Sequence, residues 1–202
     1  MPRIDLRRER AALYSATRAP AYVDVPALPY LMIDGHGDPN TEPEYAAAVQ
    51  ALYSVAYTLR FALKRLPEPV DAPVMPLEGL WWTADMATFT TEDKSAWDWT
   101  LMIAVPDLVT ASDVESARAA AARKHPDGSV RAVRLELFAE GRSAQVLHVG
   151  PYSAEGPTVA ALHAFIAAHG QALAGKHHEI YLGDPRRSAP ERLRTIVRQP
   201  VA

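Results

Sequence analysis

One pattern occurs twice in this chain, and a duplicated unit restricts its possible folds more than composition does. The first copy reads PYLMIDGHGDP, a helical stretch over about 42–65, PLEGLWW and then DWTLMIAVP. The second reads AQVLHVGPYSAEGP, a helical stretch over about 154–169, HHEIYLGDP and then LRTIVRQPV. Each copy is strand, helix, strand, strand. Glu78 in LEGLWW and Glu179 in HEIYL take equivalent places in this pattern. Duplicated units tend to pack about a pseudo-twofold axis and leave a groove where the halves meet. Aromatics and a carboxylate facing such a groove suit a bulky, electron-poor or cationic small molecule. If the duplication records ancestry alone, the same aromatics are core.

The 202 residues suit one domain, or two small halves sharing one core, and 49% of them are hydrophobic. A net charge of -3 gives no reason to expect nucleic-acid binding. The two arginine clusters, Arg3/Arg7/Arg8/Arg10 and Arg186/Arg187/Arg192/Arg194, are interrupted by acids and read as solvated surface. There is no cysteine, which excludes disulfides, thiolate zinc sites and cysteine nucleophiles and fits a reducing cytoplasm. MPRIDLRRER has no apolar run of a secretory signal, and no stretch is long enough to span a bilayer.

Residues 1–25 read as a polar, irregular arm, followed by a strand in LPYLMIDGHGDP. In the first helix Tyr45, Val49, Leu52, Ala56, Leu59 and Leu63 form one apolar face. Tyr53, Tyr57 and Phe61 make a second stripe, either deeply buried or lining a wet cleft. VMPLEGLWW (74–82) and SAWDWTLMIAV (95–105) read as strands joined by a polar loop at 83–94. Trp97 and Trp99 alternate with Asp98, so one face carries both rings. A helix is expected over 112–125, capped by Ser112, as an insertion between the repeats. The alternating runs on either side of Gly141 predict a β-hairpin. The pattern is α+β: duplicated β-α-β-β units expected to pack about a pseudo-twofold, with a ligand groove where the halves meet.

Among candidate chemistries, metal binding is weak. His177 and His178 are adjacent in a strand and point to opposite faces, and His163 and His169 are six apart on a helix. No HExxH, no G-x-S-x-G and no phosphate loop occurs, and Ser153 reads as a helix cap rather than a nucleophile. No metal or cofactor is expected. The carboxylates are stronger candidates. Glu179 lies in an otherwise apolar and aromatic strand, where it can counter a cation or act as a general base. Glu78 is followed by Gly79, Trp81 and Trp82, and is either a groove residue or a strand-edge charge.

LEGLWW, the HVGPY–helix segment and HHEIYLGDPRR followed by LRTIVRQPV resemble the GyrI-like small-molecule-binding domains. The resemblance spans residues 20–202 behind the arm at 1–25, with repeats at about 26–106 and 142–202. It is nearest to the stand-alone branch of cyclopropanoid cyclopropyl hydrolases, which open the strained ring of DNA-alkylating natural products. It implies a cofactor-independent hydrolase with Glu179 at the groove centre and Tyr57 as its tyrosine partner, Tyr53 competing for that role. Trp81, Trp82, Tyr152 and Tyr181, with Glu78, would hold flat ligands. The alternative is non-catalytic binding or sequestration of aromatic or cationic molecules. Direct nucleic-acid and membrane contacts are not expected. A gyrase contact is implied only by the family's name.

Overall fold

In the computed structural model of the chain, which describes residues 1–86, 94–125 and 128–202, one mixed α/β unit surrounds an eight-stranded antiparallel sheet. Its strands are β1 (Ala21–Val25), β2 (Leu28–His36), β3 (Glu78–Trp82), β4 (Asp98–Ala104), β5 (Arg134–Phe138), β6 (Gly141–Val149), β7 (His177–Tyr181) and β8 (Arg194–Pro200). Their order is β1-β6-β8-β7-β3-β4-β2-β5. The two β-α-β-β units therefore occupy β6-β8-β7 and β3-β4-β2, and meet where β7 pairs with β3.

The expected hairpin around Gly141 does not form. β5 pairs with β2, whereas β6 pairs with β1 and β8. Val25 opposes Gly141 and Leu28 opposes Phe138, so the register runs unbroken past residues 26–27 and 139–140. β1–β2 and β5–β6 are thus one bent two-stranded ribbon joining the two ends of the strand order. Gly141, at φ +79, supplies the left-handed conformation beside that bend. Residues 21–25 are consequently a sheet strand rather than part of an irregular arm.

Among the described residues four α-helices complete the fold: α1 (Leu6–Glu9), α2 (Pro43–Leu63), α3 (Ala111–Ala122) and α4 (Gly156–Ala168). α2 starts at Pro43, where a missing N–H costs nothing, and buries Ala48, Leu52, Val55, Leu59 and Leu63 against β2 and β4. α4 buries Leu162 and Ile166 against Val146 and Val197 of β6 and β8. α3 lies on α2. Its cap is Thr110, not Ser112, because Thr110 and Asp113 close a reciprocal capping box. The expected loop at 83–94 falls largely outside the described residues. Among the described residues no helix is long and apolar enough to cross a membrane.

The sheet face opposite α2 and α4 holds a buried ionic cluster. His178 Nε2 lies 3.1 Å from Glu78 Oε2, and its Nδ1 lies 3.0 Å from Glu140. Arg198 donates to Glu140 at 3.2 Å, to Gln145 at 2.9 Å and to the Leu13 carbonyl at 2.6 Å. The Tyr14 hydroxyl donates to Glu78 at 2.9 Å, so the N-terminal segment seals the cluster. Glu78, His178 and Arg198 are 0–1% exposed. Both nitrogens of His178 face carboxylates and both must donate, which makes it an imidazolium. Burial alone would lower its pKa, but Glu140 and then Glu78 reverse this and raise it. For Glu140 burial pushes upward, and His178 and Arg198 bring the net value down.

A raised histidine contributes stability that is complete below its unfolded pKa, roughly 6.5, and is lost as pH rises through the folded value. A lowered glutamate contributes above its unfolded value, roughly 4.3, and the contribution is lost as pH falls through the folded one. The cluster therefore stabilises most between about pH 4.5 and 6.5. His178→Gln leaves two carboxylates facing one arginine and should cost about 3–5 kcal/mol in urea unfolding near pH 6. Wild type should lose stability from pH 6 towards pH 9 while the variant changes little. Parallel pH profiles would show that His178 carries no charge in the folded protein.

Candidate functional site

The period-two alternation of β7 sends His178 into the ionic cluster and sends His177, Glu179 and Tyr181 to the opposite face. Across the β3–β7 pairing, Gly79 stands opposite Glu179 and Trp81 opposite His177. These residues share a face beneath a cleft of about 1970 Å³ between α2 and α4. Gly79 has a steric role. A Cβ there would lie 2.7 Å from Trp81 Nε1, so the indole lies over the glycine. Gly35 seats Trp99 in the same way, with a would-be Cβ 2.0 Å from its ring. Tyr45 of α2 joins them, its ring centroid 6.0 Å from Trp81 and 5.4 Å from Trp99. The Trp81 Nε1–H is buried and has no partner among the described residues.

Glu179 is the charged centre of this wall. Its side chain is 14% exposed, and His177 Nε2 donates to its Oε1 at 3.2 Å. Burial pushes the carboxyl up. The His177 hydrogen bond and charge, the Tyr181 hydroxyl and Lys94 outweigh burial, and the net pKa is lowered. Tyr181 is itself pushed well up, by burial and then by Glu179, so its hydroxyl stays a donor.

A second carboxyl enters from the start of α4. Glu155 sits in the turn before Gly156, buried, and its Oε1 has no hydrogen-bond partner among the described residues. Burial first, and Glu179 second, push its carboxyl up to about 9. The α4 N-terminus pulls the other way. The Thr195 hydroxyl and Lys94 pull down as well, and the carboxyl still stays above its usual range. The cleft therefore holds one carboxylate and one carboxylic acid.

The expected site residues divide between the two sheet faces. Glu179, Trp81, Tyr152, Tyr181, Tyr53 and Tyr57 all line the cleft. Tyr152 packs edge-on to Tyr181 at 5.6 Å. Tyr57 stacks on Tyr53 at 6.2 Å and is 47% exposed, whereas the hydroxyl that reaches Glu179 belongs to Tyr181. Glu78 and Trp82 are not in the cleft. Glu78 pairs with Ile180, one register step from Glu179, and so points to the other face. It is not the positional equivalent of Glu179. Trp82 faces the same way as Glu78, with the Lys176 ammonium 3.2 Å over its ring. Tyr45, Glu155 and His177 are cleft residues that the pattern did not single out. Tyr45 is hidden within the apolar helix stripe. Glu155 follows a Pro-Tyr-Ser turn that reads as helix capping. For His177, alternation gave the correct face without a partner.

These features agree with the comparisons to known proteins. The model of the GyrI-like small molecule binding domain matches residues 19–202. No curated protein matches the chain. A crystal structure of an uncharacterized conserved protein from Listeria innocua is 42% identical, with a TM-score of 0.91 over 98% of this chain and 100% of that one. Two crystal structures of hydrolases from Listeria innocua are each 40% identical over 100% of their own chains. They cover 98% and 99% of this chain with TM-scores of 0.86 and 0.89. The chain belongs to the GyrI-like small-molecule-binding domain family.

Proposed function

We propose that the cleft hydrolyses the strained cyclopropane of aromatic, DNA-alkylating electrophiles. What carries this reading is that Glu179 and Glu155 line one aromatic-walled cleft whose surroundings push their pKa values in opposite directions, Glu179 down and Glu155 up. A binding site for flat molecules needs the aromatics alone. A carboxylate and a carboxylic acid kept in opposite protonation states are what acid–base hydrolysis needs. The 40% identity to proteins described as hydrolases supports it further.

In the proposed reaction the aromatic wall stacks on the conjugated ring system. Glu179, oriented by His177 and Tyr181, takes a proton from a water molecule, whose oxygen forms a bond to the cyclopropane methylene carbon. The strained C–C bond breaks, and its electron pair passes through the conjugated ring to the carbonyl oxygen. That oxygen takes the proton of Glu155 and becomes a phenol. Proton exchange with solvent restores both carboxyls. Tyr53 and Tyr57 cover the ligand from α2. Ring strain and aromatisation drive the step, and no cofactor enters it.

Incubation with a cyclopropane-bearing alkylator should give the water adduct by mass spectrometry. Binding without any adduct would reduce the cleft to sequestration. Glu179→Gln keeps the shape and removes the base, so the rate should fall by about 10²–10⁴ with little change in affinity by tryptophan quenching. Tyr181→Phe and Tyr57→Phe should cost less, Tyr57→Phe least. A Glu179→Gln protein of wild-type rate would refute the mechanism.

The same pair also sets the pH profile. Activity needs Glu179 ionised and Glu155 protonated, so it should rise through acidic pH and fall near pH 9. Glu155→Gln should lower the rate by roughly 10²-fold and abolish the alkaline fall. Retention of that fall in Glu155→Gln would assign it to another group.

A further inference from the structure

An aromatic cleft with a buried glutamate would ordinarily be expected to take lipophilic cations, since ring faces and a carboxylate both attract positive charge. Here a lysine already stands at that wall. Lys94 lines the cleft, and its Nζ lies 4.8 Å from the centroid of the Trp97 ring. The Lys94 carbonyl accepts from the Trp97 N–H at 3.1 Å, a turn that folds the lysine back over the indole. Trp97 in turn packs edge-on against Trp81 at 5.5 Å. The ammonium therefore covers one end of the aromatic wall, over a ring face that a ligand cation would otherwise use.

Lys94 also acts on the carboxyls, its charge favouring the ionised form of both Glu179 and Glu155. Glu179 already accepts from His177, and Glu155 carries a proton. We infer that the cleft selects neutral aromatic molecules over lipophilic cations, and that Lys94 enforces the choice. An entering cation gives up its hydration, meets a Glu179 whose Oε1 already accepts from His177, and is repelled by Lys94. A neutral flat ring gains the same stacking without those costs, and an electron-rich oxygen on it is drawn towards the ammonium. The inference rests on this cleft being the ligand site and does not require hydrolysis.

The test compares two probes of nearly one shape, acridine and N-methylacridinium, titrated by tryptophan quenching at about pH 8, where acridine is neutral. Wild type should bind acridine about tenfold more tightly than the cation. Lys94→Met should close or reverse that gap by strengthening cation binding. Lys94→Arg should preserve the gap. Equal or tighter cation binding by wild type, or an unchanged ratio in Lys94→Met, would overturn the inference. If neither probe binds, the cleft is not the ligand site and the inference falls with it. Hydrolysis without neutral preference sinks this inference alone, and neutral preference without hydrolysis sinks only the enzymatic reading.

Discussion

The site depends on the alternation of a single strand. Neighbouring residues of β7 enter environments that cannot be exchanged, with His178 clamped between two buried carboxylates and Glu179 in the cleft behind it. A slip of β7 by one residue would bury the Glu179 charge among Glu78 and Glu140 and carry His178 away from both. The ionic cluster, sealed by Tyr14 and the Leu13 carbonyl, therefore acts as a register lock. Such a cluster contributes little net stability compared with an apolar core of the same volume. Its effect is to make every alternative register expensive, and so to hold the carboxylate at a fixed place in the aromatic wall.

The wall is equally constrained. Tryptophans lie flat against a sheet only where the neighbouring residue has no side chain, and Gly79 and Gly35 provide that room under Trp81 and Trp99. Gly79 also stands directly across from Glu179, which leaves space beside the carboxylate. The aromatic surface is thereby fixed by sheet geometry rather than by loops, as a preorganised site requires.

Much of this was legible from residue order alone. The two β-α-β-β units and the tyrosine stripe of α2 follow from spacing, whereas the groove places of Glu179, Trp81, Trp82, Tyr152 and Tyr181 come from the resemblance, and Trp82 faces away from the cleft. What could not be read is what depends on register across strands. Glu78 and Glu179 look alike in context, yet one step of pairing separates ligand cleft from buried cluster. The segment around Gly141 alternates like a hairpin, but its partners lie at opposite ends of the strand order. Glu155 was invisible because its character comes from burial and from Glu179, 24 positions away in the chain.

The separation of the two cleft carboxyls into acid and base follows from unequal support. Glu179 has a histidine N–H and a tyrosine hydroxyl, whereas Glu155 has the Thr195 hydroxyl alone, and its Oε1 has no hydrogen bond among the described residues. Two carboxylates sharing one dry cleft cannot both ionise cheaply at low dielectric, so the better hydrogen-bonded one keeps the charge and the other keeps its proton. Lys94 limits this division, because a cation near both favours ionisation of both. The wall of rings works in the opposite sense by excluding water, which strengthens the mutual repulsion. The state at neutral pH is thus a balance between one lysine and the dryness of the cleft. A flat ligand that displaces the remaining water shifts the balance further towards one proton shared by the pair, so filling the cleft reinforces the arrangement that acid–base chemistry uses.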